Sequence, residues 1–192
     1  MIRRLYDWTL GLAGHRYALV ALAVVAFMES SVFPIPPDLL LIPMILAAPS
    51  RAFLLAGICM AASVLGGMFG YWIGYSVFET VGRPVLEFYG KDAYFDEFST
   101  RYNEWGAWAV LIAGVTPFPY KVITILSGFT GLSLPVFILA SIIARGLRFF
   151  IVAALLWKFG APIRDFIERR LGLMFTLFVI LLVGGFFLVK YL

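Results

Sequence analysis

The chain has 192 residues, of which 62% are hydrophobic and only 14% charged, and its formal net charge is +4 at pH 7. So few charges cannot cover a soluble domain of this size. The modest positive balance fits basic anchors beside a membrane rather than a nucleic-acid surface, so no nucleic-acid partner is expected.

Apolar stretches of bilayer length recur at 17–48, 52–78, 107–157 and 172–189, which predicts a polytopic membrane protein. Before the first of them, residues 1–16 read as an N-terminal amphipathic segment, with Leu5, Trp8 and Leu12 set against Arg3, Arg4 and Asp7. Asp7, His15 and Arg16 interrupt it and no small-x-small site follows, so it is not read as a cleaved signal.

The run 17–48 contains "ESSVFPIPPDLLLIP" (29–43). As one helix the run would extend about 48 Å, well beyond a hydrocarbon core of ~30 Å. Pro34, Pro36 and Pro37 each lack an N–H and restrict the residue before them, so the helix must break there. The piece that follows, 38–48, would span about 16 Å, roughly half a bilayer. This predicts a re-entrant hairpin that enters, turns at mid-depth and leaves on the same side. The next helix, 52–78, carries Ala62, Gly66, Gly70 and Gly74 at every fourth residue, a stripe on which another helix backbone can pack closely.

Segment 79–105 holds six acids and three bases among aromatic residues and reads as an interfacial linker with amphipathic helix, or as a small soluble linker. Beyond it, "AGVTPFPYKVITILSG" (113–128) is broken by Pro117 and Pro119. A shift of 83 residues lays Pro117 on Pro34, Pro119 on Pro36, Lys121 on Asp38, and 135–161 on 52–78. Two units follow, 17–78 and 106–160, each a hairpin plus one crossing. One crossing per unit turns the second unit upside down, an inverted repeat. A further transmembrane helix is predicted at 172–190. The expected fold is an all-α polytopic membrane protein, a single membrane domain over 1–192.

Five ionisable residues fall in apolar surroundings: Glu29, Asp38, Lys121, Arg145 and Arg148. Each costs about 2.5–3.5 kcal/mol at a helix centre, so each is expected to face a partner or a wet cavity. One reading is a set of ion pairs that fixes one packing, with Asp38 alternatively capping the helix after Pro37. Another is a binding site. Arg145 and Arg148 are three apart on one helix face and suit a phosphate, with Lys121 beside them. Glu29 and Asp38 would then be the protonatable acids, because a carboxylate in a poorly solvated cavity favours its neutral form. A third reading lets the arginines snorkel to a shallower depth. Cys59 and His15 are the sole cysteine and histidine, so no disulfide, metal site or cofactor is expected. Without HExxH, GxSxG or a Ser/His pairing, an enzyme is not expected either.

At these residues the chain resembles the DedA family of membrane proteins, also called the SNARE-associated or VTT-domain group. The resemblance is carried by "FMESSVFPIPPDLLLIP" (27–43), "GGMFGYWIG" (66–74), "TPFPYKVITILSGFTGLSLPVF" (116–137) and the Arg145 that follows, and covers about 15–160. It implies two opposed re-entrant hairpins, a role in membrane homeostasis, and lipid flipping or scrambling. Some members are similar to proton-dependent carriers that return undecaprenyl phosphate across the membrane. Glu29 and Asp38 match the family's acidic pair, and Lys121 stands where many members have the second of two arginines. The first of those arginines has no counterpart, Val115 or a neighbour taking its place, and the Glu29–Asp38 interval is shorter, which resembles a divergent branch.

The expected function is therefore a flippase or scramblase for an anionic, phosphate-bearing membrane lipid, with protons as the candidate coupling ion. The alternatives are a small-solute or ion carrier at the same midplane site, or a non-transporting scaffold. The expected location is the cell membrane, a bacterial inner membrane, crossed several times. Eight bases (Arg3, Arg4, Arg16, Arg51, Lys158, Arg164, Arg169, Arg170) fall on the N-terminal side of that topology and four (Arg83, Lys91, Arg101, Lys190) on the other. The positive-inside bias puts the N-terminus in the cytoplasm. The sequence leaves open which lipid is moved and whether the chain forms a homo-oligomer.

Overall fold

The computed structural model describes residues 17–160 apart from positions 34 and 117, together with position 162. The amphipathic segment 1–16, the helix 172–190, Pro34 and Pro117 lie outside the described residues. Every regular element among the described residues is helical.

Helix α1 (Ala18–Ser31) is apolar until its last turn and stops where the proline cluster removes the next donors. Its end is closed by Val32 N–H and Phe33 N–H, both donated to the Met28 carbonyl at 2.9 and 2.8 Å. Pro37 occupies the N-cap of α2 (Asp38–Ala47), where a missing N–H costs nothing and φ is already helical. A short 3₁₀ turn at Pro49–Arg51 leads into α3 (Ala52–Val77), which continues through a π-helical turn at Phe78–Gly82 into α4 (Arg83–Tyr89). Gly90, at φ 60°, ends α4 with a left-handed cap that a side chain would strain.

Helix α5 (Asp92–Val115) runs unbroken from the polar linker into the apolar segment, so no helix boundary falls at 105/106. The physical reason is the lack of a breaker: Gly106 alone costs about 1 kcal/mol in a helix, too little to end one. Pro119 then caps α6 (Tyr120–Phe129), Gly131 at φ 67° turns the chain, and α7 covers Leu134–Gly160. The order helix, proline break, ten-residue helix, long helix thus occurs twice. The end of α1 and both bounds of α2 and α3, shifted by 83 residues, fall within one residue of the second set.

Among the described residues, two stretches are long and apolar enough to cross a membrane, Pro49–Tyr89 and Leu134–Gly160. Two hydrophobic cores lie along them. The first joins α1 (Leu22, Ala26) and α2 (Leu41, Ile45) to the N-terminal half of α3 (Leu55, Cys59) and the C-terminal half of α7 (Phe149, Ala153). The second joins α5 (Val110, Ala113) and α6 (Tyr120) to the N-terminal half of α7 (Phe137, Ala140), with Tyr71 of α3 packed against it. Helix α6 returns along α5: the Tyr102 hydroxyl meets Ser127 Oγ at 2.9 Å, and Asn103 Nδ2 donates to the Thr130 carbonyl at 3.0 Å.

The small residues of α3 are where this packing is tightest. A Cβ at Gly66 would fall on the Phe27 carbonyl of α1, and one at Gly74 on the Ile125 carbonyl of α6. At Gly70 it would meet Thr124 and the Ser30 carbonyl. Gly128 makes the reciprocal approach to the Tyr71 carbonyl, while Ala62 packs on the first core. Backbone cannot move aside as a side-chain end can. Gly74→Ala should therefore lower the thermal midpoint in detergent, at a cost of about 1–3 kcal/mol. Gly57, with nothing within 4 Å of its position, is the matched control. Gly57→Ala should raise stability by up to about 1 kcal/mol through helix propensity. Equal midpoints for the two variants would refute the close-approach account.

Candidate functional site: a charged layer at the two proline breaks

Between the two cores the helices carry polar groups. On α3, Ser63 lies between Cys59 of the first core and Tyr71 of the second; on α7, Ser141 and Arg145 lie between Ala140 and Phe149. A hydroxyl or guanidinium in an apolar interior must find partners nearby. Here they find each other.

Arg145 is completely buried. Its guanidinium lies over the rings of Tyr120 and Phe149, 4.6 and 5.0 Å from their centroids. Nε donates to Ser63, and Nη2 donates to the Glu29 carboxylate and to Ser30 Oγ. Ser30 also reaches Glu29 Oε2 at 3.0 Å and Ser63 Oγ at 2.6 Å. One arginine of α7 thus holds α1, α3 and α6 together. Its Nη1 has no hydrogen-bond partner among the described residues. The Tyr120 hydroxyl, donated to Ser141 at 2.5 Å, fixes the ring on which the guanidinium rests.

Arg148, one turn further on, faces the breaks. Nη2 donates to Asp38 Oδ2 at 2.6 Å and Nη1 to the Thr116 carbonyl at 3.1 Å. Asp38 begins the helix after the first break, and Thr116 is the last residue before the second. Asp38 follows the N-cap Pro37 as the first residue of α2, and its carboxylate reaches across to α7. Lys121 closes the junction from the other direction, its Nζ donating to the Val32 carbonyl at 3.1 Å. Thr124 straps the same region, its hydroxyl within reach of the carbonyls of Ser30 (3.0 Å) and Lys121 (2.9 Å).

All five charges singled out in the sequence therefore meet in one layer, but they are not equivalent. The Glu29–Arg145 pair is sealed, with side-chain exposures of 13% and 0%. The Asp38–Arg148 pair is 21% and 19% exposed, and Lys121 has no carboxylate within 4 Å among the described residues. Within this layer, the positive charge that is not sealed inside the protein is thus at Arg148 and Lys121. Pro36 and Pro37 shape the first break and Pro119 the second. Ser30, Ser63, Tyr120 and the carbonyls of Val32 and Thr116 belong to the site and were not singled out. Ser30 and Ser63 carried a signal, a hydroxyl inside an apolar helix; the carbonyls carried none, because every residue has one. The described residues contain no group of three or more acidic, histidine or cysteine side chains able to hold a metal ion.

A family model described as the VTT domain matches residues 33–158, more than half of the chain. An uncharacterised protein of Haemophilus influenzae is 36% identical over 168 residues, covering 85% of this chain and 87% of its own length. An uncharacterised homologue from Histophilus somni is 38% identical over 168 residues with the same coverage. No solved structure matches.

Proposed function

The chain belongs to the VTT-domain family, membrane proteins of the DedA type, and from that premise we propose that it carries an anionic, phosphate-bearing lipid headgroup past the two proline breaks, exchanging it against a carboxylate that takes up a proton. The observation that carries this reading is the Asp38–Arg148–Thr116 bridge. One partly exposed guanidinium joins the carboxylate after the first break to the carbonyl before the second, with the uncompensated Lys121 alongside. A phosphate matches the guanidinium fork as well as a carboxylate does and can displace one. Irregular backbone at membrane depth is tolerated where it is buried or lines a wet cavity, and transporters place their sites at such breaks.

In this reading α1–α2 and α5–α6 are re-entrant hairpins of an inverted repeat. The repeated element order supports it, as does the exchange of α3 and α7 halves between the two cores. Arg145 is then a positioning residue: buried, and occupied by Glu29, Ser30 and Ser63, it holds α7 so that Arg148 faces the breaks. The protein acts in the cell membrane without enzymatic chemistry or cofactor. The membrane lipids are its partners and the proton its coupling ion.

The test is reconstitution in vesicles with labelled lipid phosphates. Movement of the label that is lost in Arg148→Ala supports the proposal. Uptake of a soluble anion without lipid movement would assign a solute carrier, and inactivity in both assays would assign a scaffold. Topology is tested separately. With the N-terminus cytoplasmic, the Asp92 region lies outside, so a cysteine from Lys91→Cys should react with an impermeant thiol reagent in intact cells, whereas Cys59 is buried and silent. Protection at that position would reverse the orientation.

A further inference from the structure

Away from the breaks, a cleft of about 540 Å³ opens where the end of α3, the π-helical turn, α4, the start of α5 and the end of α6 meet. Phe78, Phe95 and Phe129 form one wall. Their ring centroids lie 4.5, 5.0 and 5.4 Å apart, two stacked and the third edge-on to both. Four charged residues line it: Glu79, Arg83, Glu87 and Asp96. Arg83 is committed to Glu79 at 2.8 Å and lies over the Phe78 ring, 5.6 Å from its centroid. The aromatic wall therefore already receives one cation. Glu87 and Asp96 have no cationic partner among the described residues. The carbonyl end of α6 points its negative dipole at the same space. A π-helical turn forms part of the lining, and such turns recur at functional sites.

We propose that this cleft binds an organic ammonium group. Aromatic faces with uncompensated carboxylates suit a polarising but poorly hydrated cation. A bare metal ion would instead need several convergent oxygen ligands, and none are grouped here. The cleft is also too large for an ion alone. Its position favours a lipid. The continuous helix Pro49–Tyr89 has 41 residues, and at 1.5 Å per residue its last turns lie beyond a ~30 Å hydrocarbon core. Around it Phe88, Tyr89, Tyr94 and Trp105 are all exposed, as aromatic residues at the headgroup level are. The ammonium is thus either that of an ethanolamine headgroup or that of a free amine. The site is distinct from the anion site at the breaks and does not depend on it.

Native mass spectrometry of the purified protein with phosphatidylethanolamine or phosphatidylglycerol added separately tests the site. A cation over the aromatic wall and beside the two carboxylates predicts about tenfold better retention of the ethanolamine lipid. In the double variant Glu87→Gln/Asp96→Asn the ratio should fall to about one, whereas Glu97→Gln, paired with Arg101 outside the cleft, should leave it unchanged. Both acids are exposed, so the variant should keep its helical circular dichroism. Free ethanolamine added in excess separates the two sources: displacement of the lipid assigns a site open to soluble amines, and no displacement assigns a lipid-headgroup site. Equal retention of the two lipids by the unaltered protein would overturn the proposal, as would an ethanolamine preference that survives in the double variant.

Discussion

Arg145→Met should lower the stability of the purified protein by about 3–5 kcal/mol, because it leaves the Glu29 carboxyl in the interior without its partner. Measured against a total of roughly 5–15 kcal/mol, this is enough to unfold much of the population near physiological temperature. The loss is larger than the pair's net contribution, since desolvating the two charges offsets most of their attraction. Removing both should therefore recover what removing one loses. Glu29→Leu combined with Arg145→Met should return the thermal midpoint close to that of the unaltered protein, less the bonds that Ser30 and Ser63 made to the two lost side chains, the two hydroxyls keeping each other. Arg148→Met removes a partly exposed pair and should cost only about 1–2 kcal/mol, between a surface and a buried ion pair. The contrast is the measurement. Thermal unfolding in one detergent, followed by circular dichroism, should place Arg145→Met far below Arg148→Met. Comparable midpoints for these two variants would remove the distinction between a sealed and an accessible pair.

That distinction was invisible in the sequence. Arg145 and Arg148 look alike there: three residues apart, on one helix, in the same apolar run. What separates them is where α1, α3 and α6 lie around α7, and no local pattern encodes that. The breaks were legible because proline acts locally. Removing a donor and fixing φ ends α1 and α5 and starts α2 and α6 whatever surrounds them. The glycine stripe was legible for a related reason, since a residue without Cβ at every fourth position has few uses other than close packing. At 105/106 the composition changes but the helix continues. Composition governs depth in a membrane, whereas helix continuity depends on breakers, and none stands between Asp92 and Val115. Pairing of acids with bases could be anticipated from cost alone, since unpaired charge at depth is expensive. The partner of each required the three-dimensional arrangement. Glu29 takes Arg145 and Asp38 takes Arg148, so two residues nine apart on either side of the first break reach successive turns of α7.

The Asp38–Arg148 pair carries the second large effect, on function rather than stability. In the proposed exchange a phosphate takes Arg148 away from Asp38 and from the Thr116 carbonyl, and the displaced carboxylate takes up a proton. Anion binding is then accompanied by proton uptake. By linkage, if binding takes up a proton, affinity for the headgroup should rise as pH falls. Asp38→Asn mimics the protonated partner, so it should bind the headgroup with the affinity the unaltered protein reaches at low pH, and with no pH dependence. Arg148→Ala should lose binding at every pH. Arg148→Lys should recover little of it, because an ammonium cannot reproduce the two-pronged contact now divided between Asp38 and Thr116. Lys121→Gln should weaken binding by a similar factor at every pH, since Lys121 contributes charge but pairs with no titrating carboxylate among the described residues. Titrating a soluble phosphate-headgroup analogue into each variant at several pH values measures all four. A pH dependence that persists in Asp38→Asn would move the proton to another group and leave Asp38 as no more than the structural partner of Arg148.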